Sequence, residues 1–172
     1  MQTTTKIYSI SMYLSLRACS LVVALMLVAT ACKKQSTPEH ALNAKEYKSL
    51  RFLTDTLGVP NVHQKIILAI PSRGCASCIE AAMKYAKQNE GEPKITIIIT
   101  GASSKFTRAL AKKYQLDENR FVVDTKGMFL SKGLVTIYPT IFKPVDDYTM
   151  ATHLDATNIR DELGKIGIEF TE

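Results

Sequence analysis

Residues 65–89, KIILAIPSRGCASCIEAAMKYAKQN, govern how the rest of the chain is read. The apolar run Ile66, Ile67, Leu68, Ala69, Ile70 has the composition of a buried strand and breaks at Pro71-Ser72-Arg73-Gly74. Beyond the break, Ile79, Ala82, Met83 and Ala86 recur at i, i+3, i+4 and i+7, one stripe of an amphipathic helix. Cys75 therefore falls at the helix N-terminus and Cys78 within its first turn. Unpaired N–H groups and the positive end of the helix dipole there favour a thiolate over a thiol. Arg73, two residues upstream, is a candidate source of further positive field.

Working outward, 172 residues at 46% hydrophobic content suit one globular domain rather than two. The N-terminal stretch stands apart from it. After Lys6 and Arg17 comes the acid-free apolar run from Ala18 to Thr30, then Ala31-Cys32-Lys33-Lys34, the pattern of a secretory signal with small residues before a cysteine. This resembles the bacterial lipoprotein signal, which implies cleavage before Cys32 and lipid attachment to it. Ala29 departs from the Leu commoner at that place. The alternative is a retained transmembrane anchor, for which the run is short against the roughly 20 residues a bilayer requires. The expected organisation is a signal over 1–31, a tether over 32–40 and one domain over 41–172. The net charge of +6 is dispersed, and no basic patch interleaved with aromatics argues for nucleic acid.

Of four cysteines, Cys19 leaves with the signal and Cys32 is the lipid site that the resemblance implies, so the exported domain keeps Cys75 and Cys78. In an oxidising compartment these can pair with each other. The loop they close is too small to constrain much of the unfolded chain, so the pair makes more sense as a redox couple than as a staple.

Along the domain, Ser36 or Thr37 with Pro38 and Glu39 predicts a helix start with a capping box. Tyr47, Leu50, Leu53 and Leu57 continue that helix, and Gly58-Val59-Pro60 stops it. Ile95 to Thr100 reads as a second strand buried on both faces, so strand, helix, strand predicts a right-handed parallel crossover. Ser103 opens a further helix with Phe106, Leu110 and Tyr114 on one face. Phe121-Val122-Val123, ended by Asp124, is a short strand. Residues 126–135 are ambiguous between loop and helical turn. Ile137 to Phe142 and Tyr148 to His153 predict a hairpin joined through residues 143–147, and Ile159, Leu163 and Ile166 the buried side of a closing helix capped near Asp155 or Thr157.

Strand, Cys75-Ala76-Ser77-Cys78, helix, then Tyr138-Pro139-Thr140 leading a hairpin and a last helix, resembles the thioredoxin superfamily over about residues 65–167. With the export signal it is similar to membrane-anchored TlpA/ResA-type proteins. The resemblance implies an α/β, thioredoxin-like three-layer fold with a central mixed sheet and an extra helix–strand insertion. It implies Cys75 as attacking thiol, Cys78 as resolving thiol, and Pro139 as a cis proline facing them. Tyr138, Pro139 and Thr140 become the substrate-binding segment, with the Tyr138 backbone free to pair with an extended client. An X-Pro bond suits this, since holding it cis costs only about 0.5–1 kcal/mol. Three features depart from the family: Gly74 where many members have Trp, Ala76-Ser77 without proline, and Ala69 where some carry a buried carboxylate as proton relay, a role for which Glu80, on the helix and equally suited to a solvated place, is the nearby candidate.

The resulting expectation is a lipid-anchored thiol–disulfide oxidoreductase of the bacterial envelope, reductase in direction and free of cofactor. Its partners are an exported protein with cysteine thiols or disulfides, a redox partner protein and, through Cys32, the membrane. Two other readings use the same residues. Paired thiolates also suit Cu(I) or Zn carriage, with His40, His63 and His153 the histidines present; closed zinc coordination needs two ligands more than the pair supplies. A thioredoxin-shaped binding module without turnover is the third.

Overall fold

A computed structural model describes residues 39–166, except Pro60 and the side chain of Val62. The expected signal, the lipid site Cys32, and the helix start at Ser36 or Thr37 lie outside the described residues. Within the described residues the elements run β1 (His40–Ala41), α1 (Ala44–Thr56), a 3-10 turn (Val62–Gln64), β2 (Ile66–Pro71), α2 (Ala76–Gln88), β3 (Ile95–Thr100), α3 (Ser104–Lys113), β4 (Phe121–Asp124), α4 (Met128–Ser131), β5 (Thr140–Val145), β6 (Tyr148–His153) and α5 (Ile159–Lys165).

The six strands form one mixed sheet in the order β1-β6-β5-β2-β3-β4. β2, β3 and β4 are parallel, with Pro71, Thr100 and Asp124 level with one another at their C-terminal ends. β5 and β6 make an antiparallel hairpin beside β2, and β1 adds antiparallel to β6. Alternation along β2 divides the core into two layers. Leu68 and Ile70 face α2, α3 and α5, packing with Ile79, Met83, Ala111, Ile159 and Leu163. Ile67 and Ala69 face α1 and α4, packing with Leu50, Leu53 and Phe129. The fold is therefore α/β in three layers around a central mixed sheet, the class that the resemblance implied. Each of these buried aliphatic side chains stabilises the fold by about 1.5–3 kcal/mol relative to exposure, before the entropy of ordering it.

Four local expectations are corrected. α1 begins at Ala44, not near Ser36, because His40–Ala41 is drawn into the sheet against β6; the capping box belongs to Asn43 and Glu46. The Asn43 side chain accepts from the Lys45 and Glu46 N–H groups, and the Glu46 carboxylate accepts from Asn43 N–H. α3 turns Thr107 and Ala111 inward, leaving Phe106 half exposed. Ile137 to Pro139 is loop, and β5 starts at Thr140. The hairpin turn is only Asp146-Asp147, since β5 continues to Val145, paired with Tyr148. Pro144 is tolerated there because β2 pairs with β5 only as far as Phe142.

Candidate functional site

Cys75 is the N-cap of α2, with extended backbone and no side-chain capping bond. The N-terminus of the helix is thus left to the cysteines themselves. Cys78, in the first turn, is fully buried in the core layer beneath α2, while Cys75 is partly exposed. The two are joined by a disulfide with Cα atoms 5.3 Å apart. The Ser77 hydroxyl lies 3.6 Å from the Cys75 sulfur. One sulfur at the surface and one behind it is the arrangement in which an attacking thiol meets a partner and a second thiol releases it.

The strand end is held against the loop before β5. Cys75 N–H donates to the Ile137 carbonyl at 2.9 Å. Gly74 makes this approach possible. Its φ is +147°, and a Cβ at that position would stand 2.1 Å from the Ile137 oxygen. No side chain fits there, which explains glycine where the resemblance expects tryptophan.

The proline loop differs from expectation in three respects. Among the described residues no peptide bond is cis, so Tyr138–Pro139 is trans, the geometry an X-Pro bond favours intrinsically. The Tyr138 backbone is not free: its N–H donates to the Thr136 hydroxyl, and its carbonyl accepts from the Thr140 hydroxyl, both at 3.4 Å. Pro139 and Thr140 are buried. The Pro139 carbonyl accepts from Leu154 N–H at 2.7 Å, and the Thr140 hydroxyl meets His153 Nδ1 at 2.9 Å. Of the three expected substrate-binding residues only Tyr138 reaches the surface, packing partly on the same core layer as Cys75.

Arg73 is exposed, and its guanidinium lies 4.3 Å from the centre of the Phe106 ring. Glu80 is also exposed and pairs with Lys84 at 3.0 Å. The hydrogen bond and charge of Lys84 hold its carboxyl below the usual range. A carboxylate already partnered and solvated this way is not poised to relay protons for the sulfurs. Ala69, fully buried, supplies no substitute.

The histidines do not gather at the dithiol. His63 Nδ1 is 2.7 Å from the Tyr47 hydroxyl. The His40 and His153 rings are 6.2 Å apart on the opposite face of the sheet from Cys78. Burial, and then the charge of His40, lowers the His153 pKa. Among the described residues no group of three or more His, Cys, Asp or Glu converges as metal ligands would, so closed zinc coordination would need ligands from elsewhere.

Sequence reasoning missed Ile137 and misassigned Phe106. The left-handed demand at Gly74 is invisible without its neighbour's position, but the run Arg73-Gly74 directly before a helical cysteine was a hint of close backbone approach. Asp124 was read as a strand terminator only. It is fully buried, and one carboxylate oxygen accepts from the Thr100 hydroxyl at 2.7 Å and from Phe129 N–H at 2.9 Å, tying β3 to α4. A concavity of about 540 Å3 between α3 and β4, lined by Arg108, Lys112, Leu116 and Phe121 among others, lies apart from the dithiol and contains none of the expected residues. Comparison with protein-family models and with curated proteins yields no match.

Proposed function

We propose that this chain is a thiol–disulfide oxidoreductase, thioredoxin-like and of the TlpA/ResA type, anchored by lipid on Cys32 in the bacterial cell envelope. The observation that carries the reading is the pairing of a partly exposed Cys75, at a helix N-terminus without a side-chain cap, with a buried Cys78 behind it. The strand order supports it too: the dithiol strand is central, flanked by a parallel crossover on one side and an antiparallel hairpin on the other, while α3 and β4, which follow the crossover in the chain, add β4 at the sheet edge beyond β3.

In the reductive direction, the Cys75 thiolate attacks one sulfur of a client disulfide, forming a mixed disulfide and expelling the other client sulfur as thiolate. Cys78 then gives up its proton and attacks the Cys75 sulfur. The Cys75–Cys78 disulfide forms, and the first client sulfur departs as the second thiolate. Two electrons pass to the client, and a dithiol protein of the envelope must restore them. The helix N-terminus stabilises the thiolate at Cys75, and burial of Cys78 keeps it from competing for clients.

The test is to replace Cys78 with Ser and recover what remains disulfide-linked to Cys75 in the native envelope. A cysteine-containing exported protein released by reductant is expected. A reduced wild-type Cys75 that alkylates no faster than a free peptide thiol across a pH series, with no transfer to a model disulfide, would defeat the reading.

A further inference from the structure

The loops that leave β2, β3 and β4 emerge side by side, because Pro71, Thr100 and Asp124 are level in the parallel sheet, with neighbouring strands about 4.8 Å apart. They bring to that end of the sheet Arg73, two residues before Cys75, Lys105, next to the Phe106 that meets Arg73, and Lys126, next to the Gly127 that abuts Gly101 and Ala102. The acids nearby are already engaged: Asp124 is buried and bonded to Thr100 and Phe129, and Glu80 is paired with Lys84. Among the described residues Arg73 has no carboxylate partner. It lies instead on the Phe106 ring, 4.3 Å from its centre, a contact that orients the planar fork while leaving its edge donors available. The rim also exposes apolar surface. Phe106 is 50% and Ile137 56% exposed, Phe106 beneath Arg73 and Ile137 in the loop that abuts Gly74 and Cys75.

Building on the redox reading above, we propose that this rim selects its clients. The favoured substrate is an extended polypeptide segment whose reactive cysteine is flanked by an acidic side chain and by apolar residues. Arg73 takes the carboxylate, in the bidentate geometry a guanidinium offers, and Ile137 and Phe106 cover the apolar neighbours. Lys105 and Lys126 add longer-range attraction that salt screens.

The test uses the reduced full chain and three short peptides, each a disulfide-linked homodimer identical but for Glu, Gln or Lys beside the cysteine. Reaction converts one protein dithiol to the Cys75–Cys78 disulfide and one peptide disulfide to two thiols. Rates are divided by those of the same peptides with dithiothreitol, which removes their intrinsic reactivity. At low salt the Glu peptide is expected to react about tenfold faster than the Lys peptide, with Gln between. The ratio should fall toward one near 1 M salt, where the Debye length is about 3 Å. Arg73→Gln is expected to bring the ratio to about two or less, whereas Lys48→Gln, an exposed charge on α1 across the sheet, leaves it unchanged. Equal normalised rates for all three peptides, or a preference that survives Arg73→Gln, would overturn the selectivity while leaving the redox reading intact. No exchange with any peptide would overturn both.

Discussion

Replacing Gly74 with alanine tests the contact that brings the dithiol and the proline loop together. Two costs follow from the geometry. At φ +147° a side chain occupies a backbone region that L-residues rarely adopt, a strain of about 1–3 kcal/mol. The new Cβ also falls 2.1 Å from the Ile137 oxygen. Relieving that overlap parts the loops by about 1 Å and takes the Cys75 N–H bond to Ile137 out of hydrogen-bonding range, a further loss of about 0.5–1.5 kcal/mol. The expected total is about 2–4 kcal/mol. With a urea m-value of about 2 kcal/mol/M, the unfolding midpoint of the oxidised protein should fall by roughly 1–2 M at unchanged m. Gly164→Ala is the control: it is exposed within α5 with nothing within 4 Å of the added Cβ, and should stabilise by about 0.5–1 kcal/mol. A loss at Gly74→Ala below about 0.5 kcal/mol, with Cys75 of the reduced protein alkylated at the wild-type rate, would refute the reasoning.

Three further outcomes are expected. Asp124→Ala removes the acceptor of two buried donors, the Thr100 hydroxyl and Phe129 N–H, and should cost about 2–4 kcal/mol in urea unfolding, with Asp124→Asn costing less than half of that. The His153 pKa is depressed in the fold, by burial and then by His40, so the unfolded chain binds the proton first. Stability should then be full above pH 6.5 and fall as pH drops below it, and His153→Gln should flatten that slope in unfolding curves measured from pH 7.5 to 5. Glu80→Gln should leave the pH profile of Cys75 alkylation in place and its rate within about twofold, since this carboxylate is solvated and paired with Lys84; a displaced profile would restore it as a proton relay.

Patterns set by near neighbours were legible in the sequence. The run Ile66–Ile70 followed by the stripe Ile79, Ala82, Met83, Ala86 located β2 and α2 to within a residue or two and put Cys75 at the helix start, because periods of 2 and 3.6 depend on burial of one face and little else. Whereas the three-layer arrangement was implied by the resemblance alone, the same logic found β3, the hairpin and the closing helix. It misled at α1, where Ser36, Thr37 and Glu39 offered a plausible cap in competition with Asn43 and Glu46. Pairing of His40–Ala41 with β6, more than a hundred residues away, favoured the latter. The same limit held for Phe106: Leu110 and Tyr114 of its stripe pack on the core, but Phe106 itself is left half exposed, since which residues turn inward depends on how α3 sits on the sheet.

By itself, then, the chain's order of residues determined a strand, a pair of cysteines and a helix in succession, with Cys75 at the helix start and Cys78 in its first turn. Tertiary structure alone decided what surrounds that pair: the Ile137 carbonyl against Gly74, the Phe106 ring under Arg73, the trans Tyr138–Pro139 bond and the burial of Thr140 against His153. The Gly74–Ile137 and Arg73–Phe106 contacts join residues some sixty and some thirty positions apart, and they exist because strand register brings loop ends together. No local propensity encodes that distance.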